Sequence, residues 1–228
     1  MLMHTELHTV PVNRCRPAAV VRSAPVRGAI AAMATIGSQM KFGAGAEIFG
    51  EGEPAEYVYK VVTGAVRTCR ILSDGRRQIG GFHLPGDVFG LEIGDEHQFS
   101  AEAINRVTVV AVRRGALVSL AERDCDAARE LWAVSERELR RVRGHMLLFV
   151  RSAQQRVASF LLEMSKRLAA TDAIELPMSR QDIADYLGLT IETVSRTMTH
   201  LVSEQAIVLP SSRRIVVRNA AALRRLNA

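Results

Sequence analysis

The stretch from Met178 to Ser203, MSRQDIADYLGLTIETVSRTMTHLVS, constrains this chain most, because it carries start and stop signals for two short helices and the turn between them. Ser179 is a helix-opening hydroxyl, and Asp182 three residues on makes a near-capping box. Ile183, Ala184 and Leu187 supply an apolar face. Gly188 then stands where the chain must turn sharply, a place that favours positive φ. Thr190 is the N-cap of the second helix. The small Ala184, a turn Gly four residues later and Val194 six after that let the two helices cross closely, as in a helix-turn-helix.

On the second helix Val194, Thr197, Met198 and Leu201 share one face, and Glu192, Ser195, Arg196 and Thr199 share the other. Arg offers a bidentate fork to guanine, Glu accepts from the cytosine amino group, and Ser bonds a base edge or packs near a thymine methyl. A helix with all three near its N-terminus fits direct readout in a DNA major groove, whereas a plain surface hairpin would carry only a solvated charged face. Two β-type runs follow, Ala206 to Pro210 and Ile215 to Arg218, joined by Ser211-Ser212-Arg213-Arg214. They read as a two-stranded wing with a basic tip. The candidates for contact with DNA phosphates are Ser179, Arg180, Thr190, Thr193 and Thr199 around the two helices, and Arg213 and Arg214 on the wing. A negative charge at Ser179 would face phosphates, which makes this position a candidate for regulation.

Upstream the pattern changes. Gly37 to Gly94 holds twelve of the 16 glycines, spaced between strand-length runs: Tyr57 to Val62, Val66 to Leu72, Gln78 to Leu84, Val88 to Leu91, Phe99 to Ile104 and Val107 to Val112. Such runs, bounded by Asp-Gly and Pro-Gly, predict an antiparallel β-roll or jelly roll, with Ser73-Asp74-Gly75 as a hairpin turn. From Ala116 the pattern turns helical, with Ala127 to Arg151 as one segment. On it Trp132, Ser135, Leu139, Val142, Met146 and Phe149 recur at heptad spacing. Packing on the chain's own roll is one use for that seam. Pairing with a second copy is favoured, because a helix of about 25 residues spans roughly 37 Å, longer than a small roll needs. A second helix, Gln154 to Ala169, should brace the DNA-binding unit, with the break near Arg151-Ser152.

At 228 residues the chain is long enough for two modest domains, giving an α+β architecture of N-terminal roll, long dimerisation helix and C-terminal winged helix-turn-helix. The divisions fall at 1–39 for a basic N-terminal extension with Arg14, Arg16, Arg22 and Arg27, 40–125 for the roll, 126–151 for the dimerisation helix and 152–228 for the DNA-binding domain. The formal charge is +6, and only Lys41, Lys60 and Lys166 of the basic residues are Lys; the Arg excess favours phosphate partners. Cys15, Cys69 and Cys125 are too dispersed for a disulfide framework or a CxxC pair, which suits a reducing cytoplasm. No apolar run is long enough to cross a membrane. Paired carboxylates, a nucleophile with its base and a Gly-rich phosphate loop are all missing, so no enzymatic reading arises and no metal site is expected.

The run Glu192-Thr193-Val194-Ser195-Arg196 and the upstream run Gln78-Ile79-Gly80-Gly81-Phe82-His83-Leu84-Pro85-Gly86-Asp87 resemble the Crp-Fnr superfamily of bacterial transcription regulators, within it the Fnr and FixK-like branch. The resemblance covers roughly residues 40 to 218. It implies a homodimeric activator or repressor, with activation the favoured reading, that reads a palindrome of TTGA-type half-sites through Ile191, Glu192, Ser195 and Arg196. Ile191 stands where the Crp branch has an Arg. It also implies that the hairpin of Ile71, Asp74, Gly75, Arg76 and Arg77 touches RNA polymerase. The superfamily's cyclic-nucleotide binders use a Gly-Glu pair and an Arg-Ser-Ala run. Here the matching stretches are Gly90-Leu91-Glu92 and Phe99-Ser100-Ala101, so Phe99 replaces the cation that a buried phosphate needs. The superfamily's iron-sulfur sensors use clustered N-terminal thiolates, and Cys15 is alone there. No cofactor is expected. An alternative keeps the same DNA unit under a roll that accepts some other small molecule.

Overall fold

The structure is a computed structural model, and it describes residues 28–92, 94–168 and 173–226. Most of the expected basic extension, including its four Arg residues, lies outside the described residues. Its last part is a packed helix, α1 (Ala29–Ile36), with Ala29, Ala32 and Met33 buried. The Ile30 amide donates to a Glu130 carboxylate at 2.9 Å. Two turns of AIAAMATI are too short for periodicity to show, and their small side chains let the helix sit close.

The roll follows with β1 (Ser38–Phe42), β2 (Glu47–Phe49), β3 (Tyr57–Thr63), β4 (Val66–Ile71), β5 (Arg77–His83), β6 (Val88–Phe89), β7 (Ser100–Ala103) and β8 (Val107–Arg113). They form two antiparallel sheets, in the orders β1-β8-β3-β6 and β2-β7-β4-β5. Val107, Val109 and Ala111 of β8 face the interior of the roll with Phe49, Tyr59 and Phe89. Val58 and Val112 face the other way, against Met33, Leu117 and Val134 of the helices. β3 and β8 are thus covered on both sides, which is why their sequences read as near-continuous apolar runs.

After α2 (Arg114–Arg123) comes α3 (Cys125–Leu148). It starts two residues before the expected Ala127, because the Asp124 carboxylate accepts from the amides of Asp126 and Ala127 and caps it there. It ends before the expected Arg151, because Ser152 opens α4 (Ala153–Arg167) with a capping box to Gln155. Cys69 is buried and free. Cys125 is disulfide-bonded, which corrects the expectation drawn from cysteine spacing, since distance along a chain does not limit approach in space.

The remaining elements are β9 (Ile174–Glu175), α5 (Arg180–Leu187), α6 (Ile191–Ser203), β10 (Ile207–Val208), β11 (Arg214–Val217) and α7 (Ala220–Leu226). The wing is three-stranded, in the order β10-β11-β9, one strand more than expected. A single apolar cluster runs from Cys69, Ile79 and Phe82 of the roll through Phe160 and Leu161 of α4 to Ile183, Val194 and Leu201. The roll and the helix-turn-helix therefore share a core. Among the described residues no helix is long and apolar enough to cross a membrane.

Candidate nucleic-acid interface

Ser179 caps α5 in a complete capping box. Its hydroxyl oxygen accepts from the Asp182 amide at 3.1 Å, and the Asp182 carboxylate accepts from the Ser179 amide at 2.9 Å and from the Ser179 hydroxyl at 2.8 Å. Gly188 ends the helix at φ +63°. Space also demands glycine there, because a Cβ would lie 2.9 Å from the Phe149 ring. Thr190 caps α6 by accepting from the Thr193 amide at 3.2 Å. Val194, Met198 and Leu201 are buried beneath, which fixes the face that α6 turns outward.

That outward face brings together the four expected base readers. Ile191, Glu192, Ser195 and Arg196 line one open hollow at the N-terminal end of α6. Hydrogen bonds from its own backbone amide and from the Thr190 hydroxyl, with Arg196 nearby, hold the Glu192 carboxyl below the usual carboxylate range. Thr199 is exposed, but its hydroxyl donates to the Ser195 carbonyl at 3.1 Å. Arg180 is bound to the wing, its Nε donating to the Ser212 carbonyl at 3.3 Å. Arg213 and Arg214 are exposed at the wing tip, where Arg214 lies 3.5 Å from Glu175. Because the Ser179 hydroxyl is aimed at Asp182, a negative charge at 179 meets a carboxylate before it meets DNA.

Contacts of Asp182, Arg77, Arg156 and His145 that sequence reasoning missed hold this unit in place. Asp182, with a nearly inaccessible side chain, accepts from Arg67 of β4 at 2.9 Å and from Arg77 of β5 at 2.8 Å. Arg77 also reaches Asp185 at 2.8 Å. Arg156 of α4 donates to the carbonyls of Phe149 at 2.9 Å and Leu187 at 3.0 Å, capping the ends of α3 and α5 together. His145 of α3 lies flat against Tyr186 at 4.0 Å between ring centroids and donates to its carbonyl. The partners of Asp182 lie more than a hundred residues away, so only its capping role left a local signal.

The β4–β5 hairpin separates the expected polymerase-contact residues. Ile71, Asp74, Gly75 and Arg76 are exposed at its tip, where Asp74 and Arg76 pair at 2.7 Å. Arg77 instead points at the helix-turn-helix. On α3 the heptad residues Trp132, Leu139, Val142, Met146 and Phe149 are all exposed apolar side chains, with Trp132 at 78%. The Ser135 hydroxyl donates to the Leu131 carbonyl.

Between the roll and α3 lies a cavity of about 540 Å³, bordered by Phe89, Glu92, Phe99, Glu138, Val142 and Met146 among others, with no Arg or Lys among the described residues on its lining. Phe99 packs across Gly80, where an added Cβ would meet its ring at 3.1 Å. Burial raises the Glu138 carboxyl and pushes the His83 imidazole down to about 3. Glu138 is already paired with Arg141 at 3.0 Å, and a lining with two carboxylates and no basic side chain of its own does not fit a cyclic nucleotide's phosphate.

Residues 155–226 match the family described as the Crp-like helix-turn-helix domain, and residues 39–124 match the cyclic nucleotide-binding domain. The chain is 48% identical to the nitrogen fixation regulation protein FixK of Azorhizobium caulinodans, over 96% of this chain and 92% of that protein. It is 42% identical to the transcriptional activatory protein AadR of Rhodopseudomonas palustris, over 76% of this chain and 75% of that one. Its structure superposes on that of FixK2 from Bradyrhizobium japonicum with a TM-score of 0.81 at 52% identity, covering 85% of this chain and 98% of that one. With the capped helix-turn-helix, its wing and the β-roll already in view, these likenesses establish that the chain belongs to the Crp-Fnr family of DNA-binding transcription regulators, in its FixK-like branch.

Proposed function

We propose that the protein is a homodimeric transcription activator that reads a palindrome of TTGA-type half-sites without a cyclic nucleotide or an iron-sulfur cluster. The observation that carries this reading is the hollow of Ile191, Glu192, Ser195 and Arg196, held outward by a helix-turn-helix whose both helices are capped. Arg196 forks onto a guanine, Glu192 accepts from the opposite cytosine, and Ser195 meets a neighbouring A·T pair. Ile191 brings no donor, so the guanine that an Arg would read there carries no preference. Ser179, Arg180, Thr190, Thr193, Thr199, Arg213 and Arg214 supply the phosphate contacts that set register. The α3 seam pairs two copies and places two α6 helices one DNA turn apart.

Arg196→Ala should weaken specific binding by about 1–3 kcal/mol per half-site and relax the choice at one base pair. Anisotropy titrations against the palindrome, single-base variants and random DNA test this. Equal losses on all duplexes mark Arg196 as a phosphate contact and end the readout assignment.

Polymerase contact falls to the hairpin tip, Ile71, Asp74, Gly75 and Arg76. Gly75 is at φ +82° with open space around it, and Asp tolerates that region better than most residues. Gly75→Asp is therefore expected to lower activated transcription in vitro several-fold at unchanged DNA affinity; a loss of DNA binding counts against the assignment.

The roll cavity favours a second reading, an allosteric regulator whose effector is neutral and apolar. Calorimetry with cyclic AMP and cyclic GMP is expected to be flat on either reading, and binding of either nucleotide overturns the assignment of an anion-excluding roll.

A further inference from the structure

α3 carries a second surface, on the side away from its heptad seam. Arg137, Arg140, Gly144 and Leu147 recur at spacings of 3, 4 and 3, half a turn from Leu139, Val142 and Met146, and Arg151 follows just past the end of the helix. With Lys166 and Arg167 of α4 they line a cleft of about 470 Å³ that contains none of the seam residues. A dimer built on the seam would draw on none of the residues that line this cleft. Its size is that of a small-ligand site.

The cleft is built as well as basic. Asp87 of the roll ion-pairs with both Arg141 and Arg167, and Glu163 lies 3.4 Å from Arg167, which fixes the rear wall. Arg140 pairs with Glu136 on the exposed rim, and Arg151 donates to the Ser159 hydroxyl at 2.9 Å. Arg137 and Lys166, on opposite walls, make no ion pair among the described residues. Gly144 is a poor helix former in mid-helix, yet a Cβ there would meet nothing within 4 Å. No contact within the chain requires glycine at this position, and its missing side chain leaves the helix backbone bare at the centre of the cleft. Beside it Leu147 is apolar and exposed.

We propose that this cleft binds a nucleoside polyphosphate, with the phosphates between Arg137, Arg140 and Lys166 and the base on the Gly144–Leu147 strip. Arg137 to Leu147 measures about 15 Å along the helix, within the reach of an extended nucleotide. Guanidinium forks suit phosphate oxygens, and a flat base lies against bare backbone and a Leu side chain. Because the walls belong to α3 and α4, the bound molecule spans the joint at Ser152 between the long helix and the DNA-binding unit.

The test uses the full-length protein without DNA, titrated at about 0.15 M salt with a fluorescent ATP analogue, and with ATP, AMP and inorganic triphosphate as competitors. Saturable binding of one nucleotide per chain is expected, with ATP competing best and AMP and triphosphate each at least about tenfold worse. Arg137→Ala/Lys166→Ala should weaken binding roughly ten- to hundredfold. Gly144→Leu, which changes no charge and improves helix propensity, should abolish it. Circular dichroism and sedimentation establish that both variants remain folded. The proposal is overturned by an absence of saturable binding below about 1 mM, by binding that survives Gly144→Leu, or by triphosphate competing as well as ATP, which would leave a site for phosphate alone. It is also overturned if random duplex DNA displaces the nucleotide while Arg137→Ala/Lys166→Ala weakens specific and random DNA alike, because the cations then serve DNA phosphates. Since binding is read without DNA, failure here leaves the DNA-reading assignment untouched.

Discussion

Replacing Leu139 and Val142 together by Glu should turn the protein into a monomer and weaken its hold on a palindromic site by roughly two to four decades. The estimate follows from symmetry. Specific binding by such regulators exceeds non-specific binding by about 4–10 kcal/mol, and a monomer keeps one half-site, about half of that. Both side chains are about half exposed, in a stripe that also holds Trp132, Met146 and Phe149. Contiguous apolar surface of this kind marks an interaction site. The buried side chains of α3 are Ala127, Val134 and Leu148, and neither Leu139 nor Val142 is among them, so the double variant should still fold. Sedimentation at micromolar concentration with and without a palindromic duplex reads both effects. A variant that stays dimeric assigns the dimer to another surface. One that is monomeric yet binds the palindrome undiminished removes the need for pairing.

The helix-turn-helix was legible because its determinants are local. Ser179, Asp182, Gly188 and Thr190 act within three or four residues of themselves, and each stands in the predicted role. The apolar stripe on α3 was equally legible, since a helix displays its period directly. What escaped notice has no period to display. β1 is largely exposed and held by backbone pairing to β8, so SQMKF carries no alternation. β2 and β9 are three and two residues long. The start of α3 was within reach, because Asp124 is a good N-cap, but the apolar period begins later and drew the boundary with it. The long-range contacts had no signal at all: nothing near Arg67, Arg77 or Arg156 says that they meet α5. Arg77 shows the consequence, since its place in the hairpin suggested solvent and its guanidinium lies against Asp182 and Asp185. In the same way the sequence puts the apolar Phe99 next to Ser100-Ala101, while the cavity beside it depends on α3 closing over the roll.

Asp182→Ala should destabilise the folded chain by about 3 kcal/mol and loosen α5 against the roll. Two losses combine at this carboxylate. One oxygen closes the capping box with Ser179, a contribution of about 1 kcal/mol, and the other receives Arg67 and Arg77. Removing one member of a buried charge pair costs about 3–5 kcal/mol, largely through the stranded partner. Here the lower end applies, because Arg67 keeps Glu102 at 2.6 Å and Arg77 keeps Asp185 at 2.8 Å. Asp182→Asn keeps an acceptor for the Ser179 amide but not the charge, so it should lose the Arg-dependent part and retain most of the cap. Urea unfolding of both variants separates the two parts, and a cycle with Arg67→Ala measures the coupling across the interface between roll and helix. Should Asp182→Ala fall within about 1 kcal/mol of the parent, or prove additive with Arg67→Ala, Asp182 is only a helix cap, and the orientation of α5 rests on Arg156, His145 and the shared apolar core.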